Sequence, residues 1–253
     1  MKKQFSILTA IIVSLTVISC SKERTETDQT ISGPAAEQTA APHAMQERTV
    51  VDPLTVNLDG WYTFNSNLKD VTKQLPDGVP TSRGVIYTYD RHGIYHNAIK
   101  FDGSYGVKLF KVPQQPHASV SAWVSCANLN YGTGRMILRP KNGDDGIGLS
   151  KVGAEIHGSV QSLSFGSMGI SAGTVNNAWH HFVVTFDDLY MRIYKDGVLA
   201  NSILCGATYP LTLEDYFLGY YPYPAEWFEG AVDDLRFYGR TLSATDVQKL
   251  YNL

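Results

Sequence analysis

The chain has 253 residues, with 21 Lys and Arg against 24 Asp and Glu and a formal net charge of −3. That balance is too small to draw a polyanion, and no basic cluster is present, which excludes nucleic acid as a partner. The residues beyond a polar N-terminal stretch are ample for one sizeable hydrophobic core.

The first residues predict export. Lys2 and Lys3 precede an apolar run, Phe5–Ile18, which gives way after Ser19 and Cys20 to the polar Ser21-Lys22-Glu23-Arg24. This is the layout of a secretory signal peptide, and the run is shorter than the roughly 20 apolar residues a membrane span needs. Val17-Ile18-Ser19-Cys20 resembles a bacterial lipobox. Residues 1–19 therefore read as a lipoprotein signal peptide and Cys20 as the lipidation site. Diacylation would give a stable tether. The expected location is the cell envelope, as an outer-membrane lipoprotein that meets the membrane through its N-terminal lipid only. Residues 20–53 are rich in Thr, Glu, Gln, Ala and Pro and nearly free of large apolar side chains until Val50. Such a segment buries too little surface to offset the entropy of ordering, and it reads as a disordered tether.

From residue 54 to 253 the period is two, and one domain is expected. In 119–126, Val120, Ala122, Val124 and Cys126 alternate with Ser119, Ser121, Trp123 and Ser125, the mark of a strand with one buried face. Residues 180–186 and 190–204 are β-rich, and Asp196-Gly197 inside the second predicts a tight hairpin. In 230–240 strict alternation puts Asp233, Leu235 and Phe237 on one face and Val232, Asp234, Arg236 and Tyr238 on the other. One short helix closes the chain. Ser243 caps it, Asp246 completes a capping box, and Val247, Leu250 and Tyr251 share a face. Many short strands and a terminal helix make an all-β sandwich or jelly roll.

Five stretches carry a family resemblance. They are WYTFNSNLKDVTK (61–73), NAIKFDGSYGVKL (97–109), ASVSAWV (118–124), NAWHHFVVTFDDLYMRIYKDGVLA (177–200) and FEGAVDDLRFYGRTLSATDVQKLY (228–251). In this order they resemble a laminin-G-like domain of the concanavalin A-like lectin/glucanase superfamily, and the match covers essentially all of 54–253. The stretch 128–176 matches little and supplies loops particular to this chain. The resemblance implies a two-sheet antiparallel sandwich with a short C-terminal helix. It leaves function open, because glucanases, lectins and adhesion modules share this architecture.

The residues argue against an enzyme. Retaining glucanases place two carboxylates about 5–5.5 Å apart, and related enzymes deliver them as Glu-x-Asp-x-x-Glu from one strand, a string missing here. Asp187-Asp188 and Asp233-Asp234 are adjacent pairs, which regular strands point to opposite faces. No nucleophile elbow and no zinc-type Cys/His spacing occur. His180 and His181 are expected to serve structure rather than a metal. Ca²⁺, with its taste for carboxylate and carbonyl oxygens, is the metal to consider, since many relatives of this fold carry it. Asp70, Asp102 and Asp233 are its candidate ligands. The alternative is that Asp233 accepts backbone N–H bonds while Asp234 pairs with Arg236 or another cation. Cys126 and Cys205 leave both a disulfide and two separate buried thiols open.

Residues 220–227 concentrate rigid aromatics around Pro222 and Pro224 in a loop. Flat rings on a stiff loop suit the C–H faces of sugars, so Tyr221, Tyr223 and Trp227, with Tyr131, are the candidate ligand-binding residues. The competing reading is that part of this loop pads the sandwich edge. At this level the chain reads as a carbohydrate-binding lipoprotein. The alternatives are a protein-interaction or adhesion module and, last, a glycoside hydrolase.

Overall fold

The computed structural model describes residues 51–82, 84–127, 129, 134–141, 146–162, 166–187, 189–205, 212–222 and 226–253. Cys20, Tyr131 and Tyr223 lie outside the described residues. The described residues belong to one compact unit spanning 49–253. Within it, two antiparallel sheets stack face to face.

The first sheet runs in the order β13 (Val198–Leu204), β12 (Tyr190–Lys195), β11 (Trp179–Asp187), β6 (His117–Cys126), β15 (Glu229–Tyr238), β4 (Tyr95–Asp102) and β3 (Ile86–Tyr89), with β1 (Leu58–Tyr62) added to β15. The second runs β10 (Gly166–Thr174), β9 (Glu155–Ser162), β8 (Gly146–Val152), β7 (Arg135–Pro140), β14 (Thr212–Leu218), β5 (Val107–Gln114) and β2 (Val79–Pro80). A single helix, α1 (Ala244–Tyr251), follows β15 among the described residues, and a 3-10 turn, Pro53–Thr55, precedes β1.

The alternation read in β6 is the one observed. Val120, Ala122, Val124 and Cys126 enter the core between the sheets beside Phe182, Val184 and Phe186 of β11 and Ile193 of β12. Each large apolar side chain buried there contributes about 1.5–3 kcal/mol. The outward residues of β6 are covered too, because a second cluster forms outside the first sheet. There Val183, Tyr194 and Tyr238 meet Leu54, Leu58, Leu242, Val247 and Leu250. The helix that supplies Val247 and Leu250 is capped as expected: Ser243 accepts from the Asp246 N–H at 3.1 Å, and the Asp246 carboxylate accepts from the Ser243 N–H at 3.2 Å.

Asp196 (φ 50) and Gly197 (φ 80) form the two-residue turn between β12 and β13. The Asp196 carboxylate also accepts from the His181 N–H at 2.9 Å and lies 2.7 Å from His180 Nδ1. The two histidines thus tie the hairpin to the start of β11. Cys126 and Cys205 are both free thiols, the first buried and the second half-buried. Burial pushes the Cys126 thiol up to about 11, so it behaves as an inert core residue.

Strict alternation fails in β15. Its residues Glu229–Val232 pair with β4, whereas Leu235–Tyr238 pair with β1, and the register shifts between Asp233 and Arg236. Asp234 has φ 53, the left-handed conformation of a β-bulge. One extra residue at the bulge resets the pattern. Val232, Leu235 and Phe237 point into the main core, while Asp233 and Asp234 turn together to the outer face. The expected placement of Asp233 beside Leu235 and Phe237 is corrected accordingly. The expectation that the two aspartates face opposite sides falls for the same reason.

Candidate functional site: a groove where one strand changes partner

Because β4 leaves β15 before β1 joins it, the outer face of the first sheet has a gap at the bulge. That gap opens as a groove of about 360 Å³. Its floor is Asp233, Asp234 and Arg236, and Trp61, Thr63, Asn65 and Asn97 form walls. The turn between β3 and β4 overhangs it with Asp90, Arg91 and His92. The Asp90 carboxylate shapes this turn by accepting from the N–H groups of His92 (2.9 Å) and Ile94 (2.8 Å). A second depression of about 270 Å³ shares Arg91, His92 and Leu253 and adds Trp123, Trp179 and Tyr251.

Arg91 reaches from the turn to both aspartates. Nη1 donates to Asp233 Oδ2 at 2.7 Å and Nη2 to Asp234 Oδ2 at 3.2 Å, while the guanidinium lies 5.0 Å from the Trp123 ring centroid. Asp234 also accepts from Arg236 Nη2 at 3.2 Å and from the Trp61 indole N–H. Arg236 in turn sits 4.3 Å from the Trp61 ring centroid. Asp234 is therefore saturated, whereas Asp233 spends one oxygen on Arg91. The carboxylates are nearly buried, with side-chain exposures of 5% for Asp233 and 11% for Asp234. Burial and the neighbouring Asp234 charge push Asp233 up to about 7, against the pull of Arg91.

Beneath the groove lies His181, which is 1% exposed. Its Nε2 meets the Ser121 hydroxyl at 2.8 Å, and Trp123 and Tyr251 flank its ring. Burial drives its pKa down to about 3, so the ring is neutral at ordinary pH. Tyr251 stacks on Trp123 with centroids 5.6 Å apart, which fixes the end of α1 as one wall.

The residues read from sequence as calcium ligands fall in three different places. Asp70 is buried and accepts from the N–H groups of Trp61, Thr72, Gln74 and Leu75 and from the Thr72 hydroxyl, at 2.6–3.1 Å. Burial alone would raise its pKa, but these bonds outweigh that and hold the carboxyl below its ordinary range. Asp102 is exposed and accepts from the Ser104 hydroxyl at 2.6 Å. Asp233 holds Arg91. The three do not fit a shared Ca²⁺ site, and among the described residues no group of three or more His, Cys, Asp or Glu is arranged to hold a metal ion.

The aromatic loop is largely turned onto itself. Gly219 (φ 77) begins it, where any Cβ would strike the Phe101 ring at 2.2 Å. Tyr220 is 8% exposed and packs on Phe217 and edge-on to Trp227. Phe228 is fully buried. Tyr221 and Trp227 are half-buried. The Arg139 guanidinium lies 4.3 Å over the Tyr221 ring, and the Trp227 carbonyl accepts from Arg135 at 3.3 Å. Tyr62, adjacent to Trp61 in β1, is core. Sequence reading passed over the groove residues Asn65, Asp90, Arg91, Asn97 and Trp179. It also passed over exposed Tyr89 and Tyr95, whose rings lie 4.9 Å apart on the hairpin that carries Arg91. The aromatic run Tyr87, Tyr89, Tyr95 and His96 was a usable signal.

A two-sheet antiparallel sandwich is an architecture that lectin domains share. The chain belongs to the concanavalin A-like lectin/glucanases superfamily, whose laminin-G-type profile matches residues 103–248. No curated protein matches it. Among solved structures it is similar to domain 4 of a GH43 extracellular arabinanase from Geobacillus stearothermophilus, in complex with arabinotriose. The identity is 21% over 77% of this chain and 98% of that one, with a TM-score of 0.61. The binding domain of Paraclostridial Mosquitocidal Protein 1 is similar at 15% identity over 78% of this chain and 52% of its own, with a TM-score of 0.65. The botulinum neurotoxin serotype D ligand-binding domain, in complex with N-acetylneuraminic acid, matches at 16% over 78% and 50%, with a TM-score of 0.60. The chain spans about half the length of these two toxin domains. At these identities the likeness is one of fold.

Proposed function

We propose that this protein is a non-catalytic glycan-binding module held at the cell envelope by a lipid on Cys20. The observation that carries the reading is the outer-face groove, where Trp61 and the second depression's Trp179 and Tyr251 border polar side chains able to bond hydroxyls. Aromatic walls with a few fixed polar groups are what a small-ligand site requires. The sugars present in the arabinanase-domain and neurotoxin-domain structures support this reading.

The groove is a poor hydrolase site even though the bulge brings two carboxylates to one face. A glycosidic bond must fit between its two catalytic carboxyls, and here the Arg91 guanidinium occupies that space. A screen of the full-length protein against a polysaccharide panel tests the reading. Binding without release of reducing sugar supports it, and turnover, or no glycan bound at all, sinks it. The tether is checked separately: Cys20→Ala should move the protein from the detergent phase to the soluble fraction.

A further inference from the structure

From the excess of carboxylates over guanidiniums in the groove and the free Asp233 oxygen that faces it, we infer that the module takes neutral glycans and excludes acidic ones bearing uronate or sialate carboxylates. The inference rests on the glycan-binding reading and concerns the ligand's chemical class.

The side chains of the groove bring three carboxylates, of Asp90, Asp233 and Asp234, against two guanidiniums, of Arg91 and Arg236, and one imidazole, of His92. Both guanidiniums are committed. Arg91 bridges Asp233 and Asp234, and Arg236 is paired with Asp234 and laid on Trp61. Their Nε–H groups have no partner among the described residues but are sealed from solvent, so a ligand in the groove cannot reach those two donors. The same holds for the indole N–H of Trp123.

What faces the groove includes unspent acceptors. Asp233 is 4% exposed and lines the groove. Its Oδ2 takes Arg91, and its Oδ1 has no partner among the described residues. The side chains of Asn65 and Asn97 make no hydrogen bond among the described residues either, so each offers both a carbonyl and an N–H₂. A sugar hydroxyl can donate to Asp233 and exchange bonds with the amides. A ligand carboxylate would instead enter a partly desolvated cleft whose side-chain carboxylates outnumber its guanidiniums, each of which already pairs with an aspartate. Like charges placed together in this way are a means of rejecting the wrong partner.

Matched neutral and acidic sugars test this on the full-length protein. Galactose oligomers against galacturonate oligomers differ only at C6, and lactose against sialyllactose adds one acidic residue. The neutral member of a pair should bind, and the acidic member should bind about tenfold more weakly or worse. Asn97→Ala, which removes no side-chain hydrogen bond among the described residues, should weaken the neutral ligand with an unchanged melting temperature. Asp233→Asn should bring the acidic member within a few-fold of the neutral one. An acidic member that binds as tightly as its neutral partner overturns the inference while leaving a glycan-binding module in place. So does neutral binding that is indifferent to both Asn97→Ala and Asn65→Ala. Absence of binding to every pair removes the glycan reading itself.

Discussion

The groove and the aromatic loop present opposite uses of the same residue types. In the loop, Tyr220, Tyr221 and Trp227 follow one another closely in sequence and pack on Phe217, on one another and under Arg139. Their surface is largely spent on the protein. In the groove and the depression beside it, Trp61, Asn97, Trp179 and Asp233 come from four different strands or strand ends and keep part of their capacity free. Local density of aromatic residues therefore says little about a binding surface. A site also needs polar groups that the fold positions but does not satisfy.

Removing the clasp should separate the two regions most strongly. Arg91→Ala leaves Asp233 and Asp234 buried without their shared cation, and such a loss typically costs about 3–5 kcal/mol. For a domain of this size that is roughly 10 °C in melting temperature. Tyr221→Ala, in contrast, should cost no more than about 1 kcal/mol. If Asp233→Asn is added to Arg91→Ala, part of the loss should return; a purely additive pair would deny the ion pair a role.

The pH dependence of stability tests the electrostatics of the groove. His181 stands at about 3 in the folded protein against an ordinary 6.5. The unfolded chain thus binds a proton that the folded one refuses. The stability His181 contributes is complete above pH 6.5 and drains away as the pH falls towards 3. Asp233, at about 7 against 3.8, has the opposite sign: its contribution is complete below pH 3.8 and is lost as the pH rises to 7. Between pH 4 and 6.5 the two slopes offset each other. Asp233→Asn removes the falling arm, so the variant should gain stability with pH across that window relative to wild type, by up to about 1.4 kcal/mol per unit. Asp59, pushed up to about 6 by burial, titrates in both proteins and cancels from the difference. A wild-type and variant difference that stays level with pH would place the Asp233 carboxyl back in its ordinary range.

Smaller effects decide where the ligand sits. Trp179→Ala should weaken glycan binding by about 0.5–1.5 kcal/mol without lowering the melting temperature much, while Tyr221→Ala leaves binding intact. The reverse pattern in calorimetry would move the site to the loop. Ser243→Ala removes the helix cap, worth about 1 kcal/mol, and loosens the end of α1 that carries Tyr251. A modest loss of affinity should follow in the groove, with none for any ligand at the loop.

What could be read from the sequence was what neighbouring residues decide among themselves. The alternation in β6 follows from the two-residue period of a strand. The β12–β13 turn follows from the backbone freedom of Asp196-Gly197, and the start of α1 follows from the reach of Ser243 and Asp246 to each other's backbone. The motifs of 118–124, 177–200 and 228–251 carried the family as well, almost wholly within the range that its profile matches. The same local logic misplaced Asp233, because the bulge in β15 has no local signature: it exists where β4 hands its place beside β15 to β1. Which strands pair across some 127 to 180 residues of chain is settled by burying both sheets' faces at once, not by any window of sequence. That pairing alone turned Asp233 and Asp234 outward, left a gap above them, and set Arg91, Asn97 and Trp61 around it.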